Sequence, residues 1–296
     1  MKYKSPYFIV EVSSNHSQDF DRCIKFIELS KKINASAVKF QLFDINKLFA
    51  PEILNVSKMH RDRSSWELPK EFIPDLYKRS KELSIDFGCT PFYLEAVDFL
   101  YDYVDFYKVA SFELLWDDLL IEIAKTKKRV IISTGMADEM EVLHAVKVLK
   151  ENGSKDISIL HCNSSYPTPI DDSNLSAIKT LSMLTGLKSG WSDHTRSKAV
   201  LYRAIHKWNA AVIEAHLGID GMGEEYQDHC WLPDDLAEVI SRCIELDDQD
   251  IDGDGIIKYT KSESSERMWR RDPEDGLRPF IETRSIFARD HKDDLS

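Results

Sequence analysis

Short apolar runs rich in β-branched residues recur along the chain, and stretches with a helical spacing of apolar residues lie between most of them. Eight such runs predict strands at Tyr7–Val12, Ala37–Gln41, Asp86–Thr90, Asp105–Ser111, Arg129–Thr134, Ile157–Cys162, Lys188–Ser192 and Ala211–His216. The clearest helical patterns cover Asp21–Asn34, Asp138–Asn152, Arg196–Trp208 and Pro233–Asp247. Regular alternation of strand and helix predicts a parallel sheet, and eight repeats predict its closure into a single (β/α)8 TIM barrel.

The alternative architecture is an open, doubly wound sheet. The first predicted strand, however, is not followed by the glycine-rich turn that binds phosphate in such folds. Residues Phe43–Pro69 form a long insertion after the second strand, and we expect them to lie over the barrel mouth. Residues 1–260 are assigned to the catalytic barrel and residues 261–296 to a charged tail, because the chain from Asp247 onward is charged and loop-like.

Composition narrows the class of protein. The 296 residues are 43% hydrophobic, enough for a large core, and no apolar run approaches the roughly 20 residues that span a bilayer. A net charge of -12 argues against general nucleic-acid binding and against an anionic membrane surface, although local lysines can still bind a small anion. The five cysteines form no CxxC pair, and no signal peptide is visible, so we expect a cytoplasmic enzyme with reduced thiols.

The carboxyl ends of the strands carry the chemistry in a barrel of this kind. His194 and His216 close the last two predicted strands, and two imidazoles with open positions between them suit a metal site. The alternative for His194 is a structural pair with Asp193. His16, His161 and His229 are weaker candidates for the same role.

Two lysines stand among apolar neighbours at other strand ends, where an unpaired ammonium is costly. Lys39 and Lys108, together with several hydroxyls, indicate a site for a phosphate or a carboxylate; the alternative is a pair of structural salt bridges. Glu11 ends the first strand and is either a general base or a buried structural carboxylate. Cys162 fits packing better than nucleophilic catalysis.

The acidic segment Asp250–Ile257 is similar to the start of an EF-hand loop. The twelfth position would be Lys261, where calcium binding requires a bidentate glutamate. An acidic surface turn is therefore favoured over a calcium site.

Several motifs occur in a fixed order along the chain. They are Glu11–His16, Val38–Gln41, Cys89–Phe92, Lys108–Glu113, Ser133–Met136, Leu160–Cys162 with Tyr166–Pro169, Gly190–Thr195, Glu214–His216, and Asp228 with His229. The ordered set resembles the sialic acid synthase (N-acetylneuraminate synthase) family, whose members condense phosphoenolpyruvate with an N-acetylated amino sugar.

The resemblance implies a role for each strand end. His194 and His216 would bind manganese or magnesium, and Glu11 would assist proton transfer. The residues implied for phosphoenolpyruvate are Lys39, Thr90, Lys108, Ser111, Ser133 and Ser192. Those implied for the amino sugar are Gln41, Tyr166 and Asp228. The expected partners are small-molecule substrates, and a homodimer is possible.

The chain departs from the family pattern at a few positions. Ser13 and Phe112 replace glycines, Gln18 stands where a glycine is usual, and Gln227 replaces a proline. Most family members also carry a second, antifreeze-protein-like domain that offers an arginine to the N-acetyl group. The chain is expected to represent the barrel domain alone.

Other arginines would then have to contact the acceptor. Arg61 and Arg63 in the long insertion are the preferred candidates, ahead of Arg278 and Arg284 in the tail. The acceptor is open between N-acetylmannosamine and another aldose. The alternative functions are a different metal-dependent barrel aldolase or lyase, and a non-catalytic sugar-sensing barrel.

Overall fold

Eight parallel strands close into a barrel in chain order. The structure, a computed structural model, describes residues 5–221, 223, 229–248, 256–258, 260–275 and 277–290. The strands are β1 Tyr7–Glu11, β2 Ala37–Leu42, β3 Asp86–Pro91, β4 Phe106–Val109, β5 Arg129–Ser133, β6 Ile157–His161, β7 Lys188–Asp193 and β8 Val212–His216. Strand β8 pairs with β1, from Tyr7 opposite Val212 to Glu11 opposite His216. The predicted barrel is confirmed, and the open sheet is wrong.

Helices follow the strands. The α-helices of the first part of the chain are α1 Phe20–Lys32, α2 Ile45–Leu48, α3 Pro51–Val56, α4 Lys58–Arg61, α5 Ile73–Glu82, α6 Leu94–Leu100, α7 Asp117–Lys125, α8 Glu139–Glu151, α9 Ala177–Thr185, α10 Lys198–Tyr202 and α11 Pro233–Asp248. Helix α8 begins with a capping box, in which Asp138 and Glu141 each accept a bond from the other's backbone N–H. The helix predicted over Arg196–Trp208 is divided, because a π-helical turn at Arg203–Lys207 follows α10.

The barrel interior has its own apolar layer, distinct from the larger core between strands and helices. The interior layer comprises Ile9, Ala37, Phe106, Ile131, Leu160 and Val212. Side chains alternate along a strand, so the residue two positions later faces the same side. This relation connects the apolar layer to polar residues beyond it: Ile9 to Glu11, Ala37 to Lys39, Phe106 to Lys108, Ile131 to Ser133 and Val212 to Glu214.

On two strands the position in this interior layer is occupied by glycine, because neighbouring atoms leave no room for a side chain. A Cβ atom at Gly88 on β3 would clash with the ring of Phe106, and one at Gly190 on β7 would clash with the carbonyl oxygen of Val212. Two positions later, these strands present Thr90 and Ser192. Because the interior layer lies two positions before these polar residues on each strand, the polar residues form a ring at the carboxyl end of the barrel.

The insertion between β2 and α5 is more ordered than the loop predicted for Phe43–Pro69. It contains α2, α3 and α4 and a 3₁₀ turn at Asp62–Trp66. The Gln18 side-chain amide donates to the carbonyl oxygens of Ser64 and Glu67, at 2.9 and 3.0 Å. Glu67 in turn accepts from the Ile45 backbone N–H at 2.8 Å. These bonds fix the insertion to the turn that follows β1.

A second compact unit begins at residue 250. It contains α12 Ser264–Met268 and α13 Ile281–Asp290, whereas the sequence predicts a charged, loop-like tail. Arg284 donates to the Asp275 carboxylate and to the carbonyl oxygens of Pro279 and Leu277.

The structure describes only part of the EF-hand-like segment Asp250–Ile257. Residues 250–255 of the EF-hand-like segment lie outside the described residues, so the acidic surface turn stays a prediction.

None of the helices in the described parts of the chain is both long and apolar enough to span a membrane.

Candidate functional site

A cavity of about 640 Å³ opens at the carboxyl end of the barrel. The predicted site residues that line it are Glu11, Lys39, Gln41, Thr90, Lys108, Ser111, Ser133, Tyr166, Ser192, His194 and His216. Asp228, predicted as an amino-sugar contact, lies outside the described residues. One cavity thus collects side chains from all eight strands or from the segments that follow them.

Four buried charged groups form the floor of the cavity. Lys39 pairs with Glu11, and its Nζ lies 3.9 Å from Oε2 of Glu214. Nζ of Lys108 lies 4.0 Å from Oε1 of the same glutamate. Glu214 therefore balances both lysines, so the structural salt bridges considered from the sequence are present in the cavity.

Burial and pairing act in opposite directions on these groups. Burial lowers the pKa of Lys39, but Glu11 and Glu214 together raise it above its ordinary value. For Lys108, burial outweighs Glu214, and the pKa falls below its ordinary value. Burial raises the pKa of Glu214, yet Lys108 and Lys39 bring it below the usual range. Lys39 and Glu214 are accordingly held in their charged forms.

Hydroxyl groups surround the two lysines. Lys39 donates to Oγ1 of Thr90 at 3.1 Å, and Lys108 donates to Oγ of Ser133 at 2.6 Å. Ser192 donates to Oε1 of Glu214 at 3.1 Å. Ammonium and hydroxyl donors on several strands can bind the oxygens of a phosphate or carboxylate together.

Ser111 and Cys162 form a separate contact in the cavity wall. Their Oγ and Sγ atoms lie 3.1 Å apart, and Ser111 also accepts from the Gly135 backbone N–H at 3.0 Å. Burial raises the pKa of the Cys162 thiol. A neutral, buried thiol agrees with a packing role and not with a nucleophile.

The turn after β1 holds Glu11 in place. Oε1 of Glu11 accepts from the Ser13 backbone N–H at 2.9 Å and from Nε2 of Gln41 at 2.8 Å. Ser13 and Gln18 occupy positions where the resembling family has glycine, and both have positive φ, at 50° and 55°. Both residues thus adopt the left-handed backbone conformation without being glycine, and this conformation costs each of them roughly 1–2 kcal/mol.

Three imidazoles stand together on another side of the cavity. The ring centroids of His194 and His216 are 5.2 Å apart, and those of His216 and His229 are 4.9 Å apart. His216, His229 and Cys230 each bring one potential ligand atom within 4.8 Å of the others. His16 and His161 lie outside this group: His16 accepts from the Gln18 backbone N–H, and His161 contacts the Ser173 carbonyl oxygen.

The donor chemistry of this cluster fits a divalent metal. Nδ1 of His194 lies 2.7 Å from the Asn163 carbonyl oxygen, and a carbonyl can only accept, so Nδ1 carries the proton. The lone pair of His194 is then on Nε2, the arrangement typical of metal-binding histidines. Burial lowers the pKa of His194 and, further, that of His216, so both rings are neutral near pH 7.

Asp193 does not pair with His194 through a hydrogen bond. Its carboxylate accepts from the indole N–H groups of Trp191 and Trp231 at 2.9 and 2.8 Å, and from the Thr195 hydroxyl at 2.7 Å. The pairing of His194 with Asp193 considered from the sequence is therefore wrong, and Asp193 instead joins β7 to the segment before α11.

Three functional candidates were missed or left weak by sequence reasoning. Glu214 lies two residues before His216 on the same face of β8, a relation that the period of a strand could have revealed. His229 was a weak candidate, but its ring joins the imidazole cluster. Glu113 lines the cavity, and burial raises its pKa to about 7.

The raised pKa of Glu113 has a consequence for stability. The folded chain favours the protonated carboxyl of Glu113. Its contribution to the free energy of unfolding is therefore unreduced below the unfolded pKa near 4.5, and it is lost as the pH rises through 7. We expect Glu113→Gln to gain stability relative to the parent chain between pH 5 and pH 8, by at most about 3 kcal/mol. Thermal unfolding of both proteins across this range measures the difference. Glu151→Gln, at an exposed site, is the control, and a difference for Glu113→Gln that does not vary with pH would contradict the expectation.

The outer part of the cavity is aromatic. We call this set the outer wall: Phe43, Leu48, Phe49, Trp66, Phe92 and Phe112. Arg63 also lines the cavity, whereas Arg61 is exposed and donates to the Leu54 carbonyl oxygen. The insertion therefore reaches the mouth, as the sequence predicts, and brings Arg63 to it.

Comparison with known proteins gives consistent matches. The NeuB family model matches residues 26–254. The chain is 37% identical over 243 residues to an uncharacterized protein of Methanocaldococcus jannaschii, which covers 81% of this chain and 70% of that protein. It is 33% identical over 275 residues to N,N'-diacetyllegionaminic acid synthase of Campylobacter jejuni, covering 88% of this chain and 81% of that enzyme.

A solved structure resembles the fold over a similar extent. The crystal structure of N-acetylneuraminic acid synthetase from Leptospira borgpetersenii in complex with citrate has a TM-score of 0.76 and 29% sequence identity. The match covers 89% of this chain and 90% of that chain. The family match begins after β1 and extends over strands β2 to β8.

Proposed function

The chain belongs to the NeuB family of phosphoenolpyruvate-dependent synthases that form a carbon–carbon bond, and we propose that its acceptor is an N-acylated amino sugar. The products would be a nonulosonate, as in sialic-acid-like sugars, and inorganic phosphate. One observation carries the proposal: a single cavity joins two buried lysines and their hydroxyl partners to a cluster of imidazoles. Such a cavity can hold an anion and a polarised aldehyde side by side.

Phosphoenolpyruvate would bind on the cavity floor. Lys39 and Lys108 supply the positive charge, and the supporting hydroxyls belong to Thr90, Ser111, Ser133 and Ser192. A bound phosphate and carboxylate would take over contacts that the lysines now make with Glu11 and Glu214. Because the site is buried, each charge-assisted bond there is stronger than it would be in water.

The acceptor would bind between the imidazoles and the outer wall. His194 and His216 would hold the divalent cation, Mn²⁺ or Mg²⁺, with His229 beside them. When bound, this cation supplies Lewis-acid polarisation of the acceptor's aldehyde. Gln41 and Tyr166 would contact the sugar, together with Asp228. Tyr166 supports this placement, because its ring lies 4.2 Å from that of His194 and is partly exposed at the mouth.

The chemistry follows from this placement. C3 of phosphoenolpyruvate attacks the aldehyde carbon and forms the new carbon–carbon bond; the π bond of the aldehyde breaks, its oxygen takes up a proton, and positive charge develops at C2. Water adds at C2 and gives up a proton, and the tetrahedral intermediate releases phosphate by cleavage of the C2–O bond, which leaves the 2-keto acid. The buried lysines orient the phosphoenolpyruvate and balance its charge during these steps.

Glu11 would move a proton, either to open the sugar ring or to activate the attacking water. Burial raises the pKa of Glu11 despite the adjacent Lys39, so its carboxylate is a stronger base than one in water. The bond from Gln41 keeps one carboxylate oxygen directed along the cavity wall.

All five cysteines lie buried as thiols, which supports our placement of the enzyme in the cytoplasm.

A coupled assay tests the proposal against its alternatives. The chain is incubated with phosphoenolpyruvate, Mn²⁺ and a panel of aldoses that includes N-acetylmannosamine and 2,4-diacetamido-2,4,6-trideoxyhexoses. We expect phosphate release matched by an equal amount of a new 2-keto acid. Product formation from pyruvate without phosphate release would identify an aldolase. Sugar binding with no turnover on any acceptor would identify a sensor.

A further inference from the structure

The two parts of the cavity differ in chemistry. The floor carries charges and hydroxyls, whereas the outer wall, beyond the strand ends, is made of aromatic rings and Leu48. Among the described residues that line the cavity, Arg63 is the one positively charged side chain contributed by the insertion between β2 and α5. A single cation among aromatic rings indicates that this part of the cavity recognises a specific substituent.

Arg63 is held by its faces and not by its N–H groups. Its guanidinium carbon lies 4.9 Å from the ring centroid of Trp66 and 5.7 Å from that of Phe49. Within the described ranges, no carboxylate or carbonyl accepts a bond from it. Arg61, two residues earlier, instead donates a hydrogen bond to the Leu54 carbonyl oxygen. The half-buried Arg63 therefore keeps its donors for a molecule in the cavity.

The chemistry of the wall selects among oxygen acceptors. A guanidinium donates along its edges while its faces stack on aromatic rings. A phosphate dianion would meet only one cation here, surrounded by apolar side chains that cannot solvate it. An acylamino group satisfies both features, because its carbonyl oxygen accepts from a guanidinium and its methyl group packs against aromatic rings.

We propose that Arg63 is a specificity-determining residue that binds the carbonyl oxygen of an acylamino substituent on the acceptor sugar. The outer wall, chiefly Phe49 and Trp66, would contact the methyl group of the same substituent. This inference rests on the proposed function, since it assumes that a sugar occupies the outer part of the cavity. It adds a residue and a substituent that the reaction itself does not require.

Two acceptors and two variants test the inference. N-acetylmannosamine carries the acylamino group, and mannose has a hydroxyl in its place. In Arg63→Met we expect kcat/KM for N-acetylmannosamine to fall about 10- to 100-fold, mainly through KM, because one charge-assisted hydrogen bond is lost. The value for mannose should not change, so the preference between the sugars should collapse. Arg61→Met, the matched control, should keep the parent preference.

Other outcomes would overturn the inference. An unchanged preference in Arg63→Met, or an equal loss of kcat/KM with both sugars, would show that Arg63 does not bind the acylamino group. A loss confined to N-acetylmannosamine 6-phosphate would show that it binds an anion. Binding of both sugars, measured by saturation-transfer NMR with phosphoenolpyruvate present, gives the same comparison without turnover. A parent chain that binds N-acetylmannosamine through Arg63 but releases no phosphate would therefore refute only the proposed function.

Discussion

Replacing Lys108 with methionine is expected to weaken the binding of phosphoenolpyruvate by about 10- to 100-fold, because one charge-assisted hydrogen bond to a buried anion contributes about 1.5–3 kcal/mol. Methionine keeps the length of the side chain and removes its charge. Ser133 would lose its donor, and Glu214 would keep the bond from Ser192 and one lysine, Lys39, at 3.9 Å. Calorimetric titration with phosphoenolpyruvate measures the loss directly.

The choice of lysine and of control matters. Lys39 pairs with Glu11 and lies near Glu214, so its removal leaves two buried carboxylates poorly compensated and endangers the fold. Lys108→Met is therefore the first variant, and its thermal unfolding shows whether it is folded. Lys188→Met removes an exposed lysine at the opposite end of β7 and should bind like the parent chain. Unchanged affinity in both Lys108→Met and Lys39→Met would place the anion elsewhere.

The barrel could be predicted because its signals are local. Apolar runs with polar ends mark each strand, and the helical spacing between them favours a parallel arrangement. The rule that chemistry lies at the carboxyl ends then selects residues without knowledge of their distances. Glu11, Lys39 and Lys108 reach one cavity because each follows an apolar interior residue by two positions, a relation fixed by the pleat of the strand.

Other features depend on contacts between distant parts of the chain. The insertion after β2 is fixed to the turn after β1 by Gln18, which donates to the backbone at Ser64 and Glu67. The proton on His194 is placed by a backbone carbonyl, that of Asn163, and side-chain patterns carry no information about such a group. The raised pKa of Glu113 arises from burial, which only the assembled cavity defines.

The second large effect concerns the metal. Chelation is expected to abolish turnover, and Mn²⁺ to restore it, because the aldehyde would otherwise lack its Lewis acid. The double variant His194→Ala, His216→Ala should lose both turnover and Mn²⁺ binding measured by calorimetry. Two neutral imidazoles with positions left for water and substrate suit Mn²⁺, and burial keeps both rings unprotonated near pH 7.

The surrounding residues sharpen this test. His144 is an exposed histidine on α8 that contacts Asp117, so His144→Ala should bind Mn²⁺ like the parent chain. His229→Ala should weaken Mn²⁺ binding less than the double variant, since its ring lies near His216 but 6.3 Å from that of His194. Full turnover and unchanged Mn²⁺ stoichiometry in the double variant would contradict the assignment. A loss of Mn²⁺ binding in His229→Ala as complete as in the double variant would instead centre the metal on His216 and His229, where Cys230 also lies within reach.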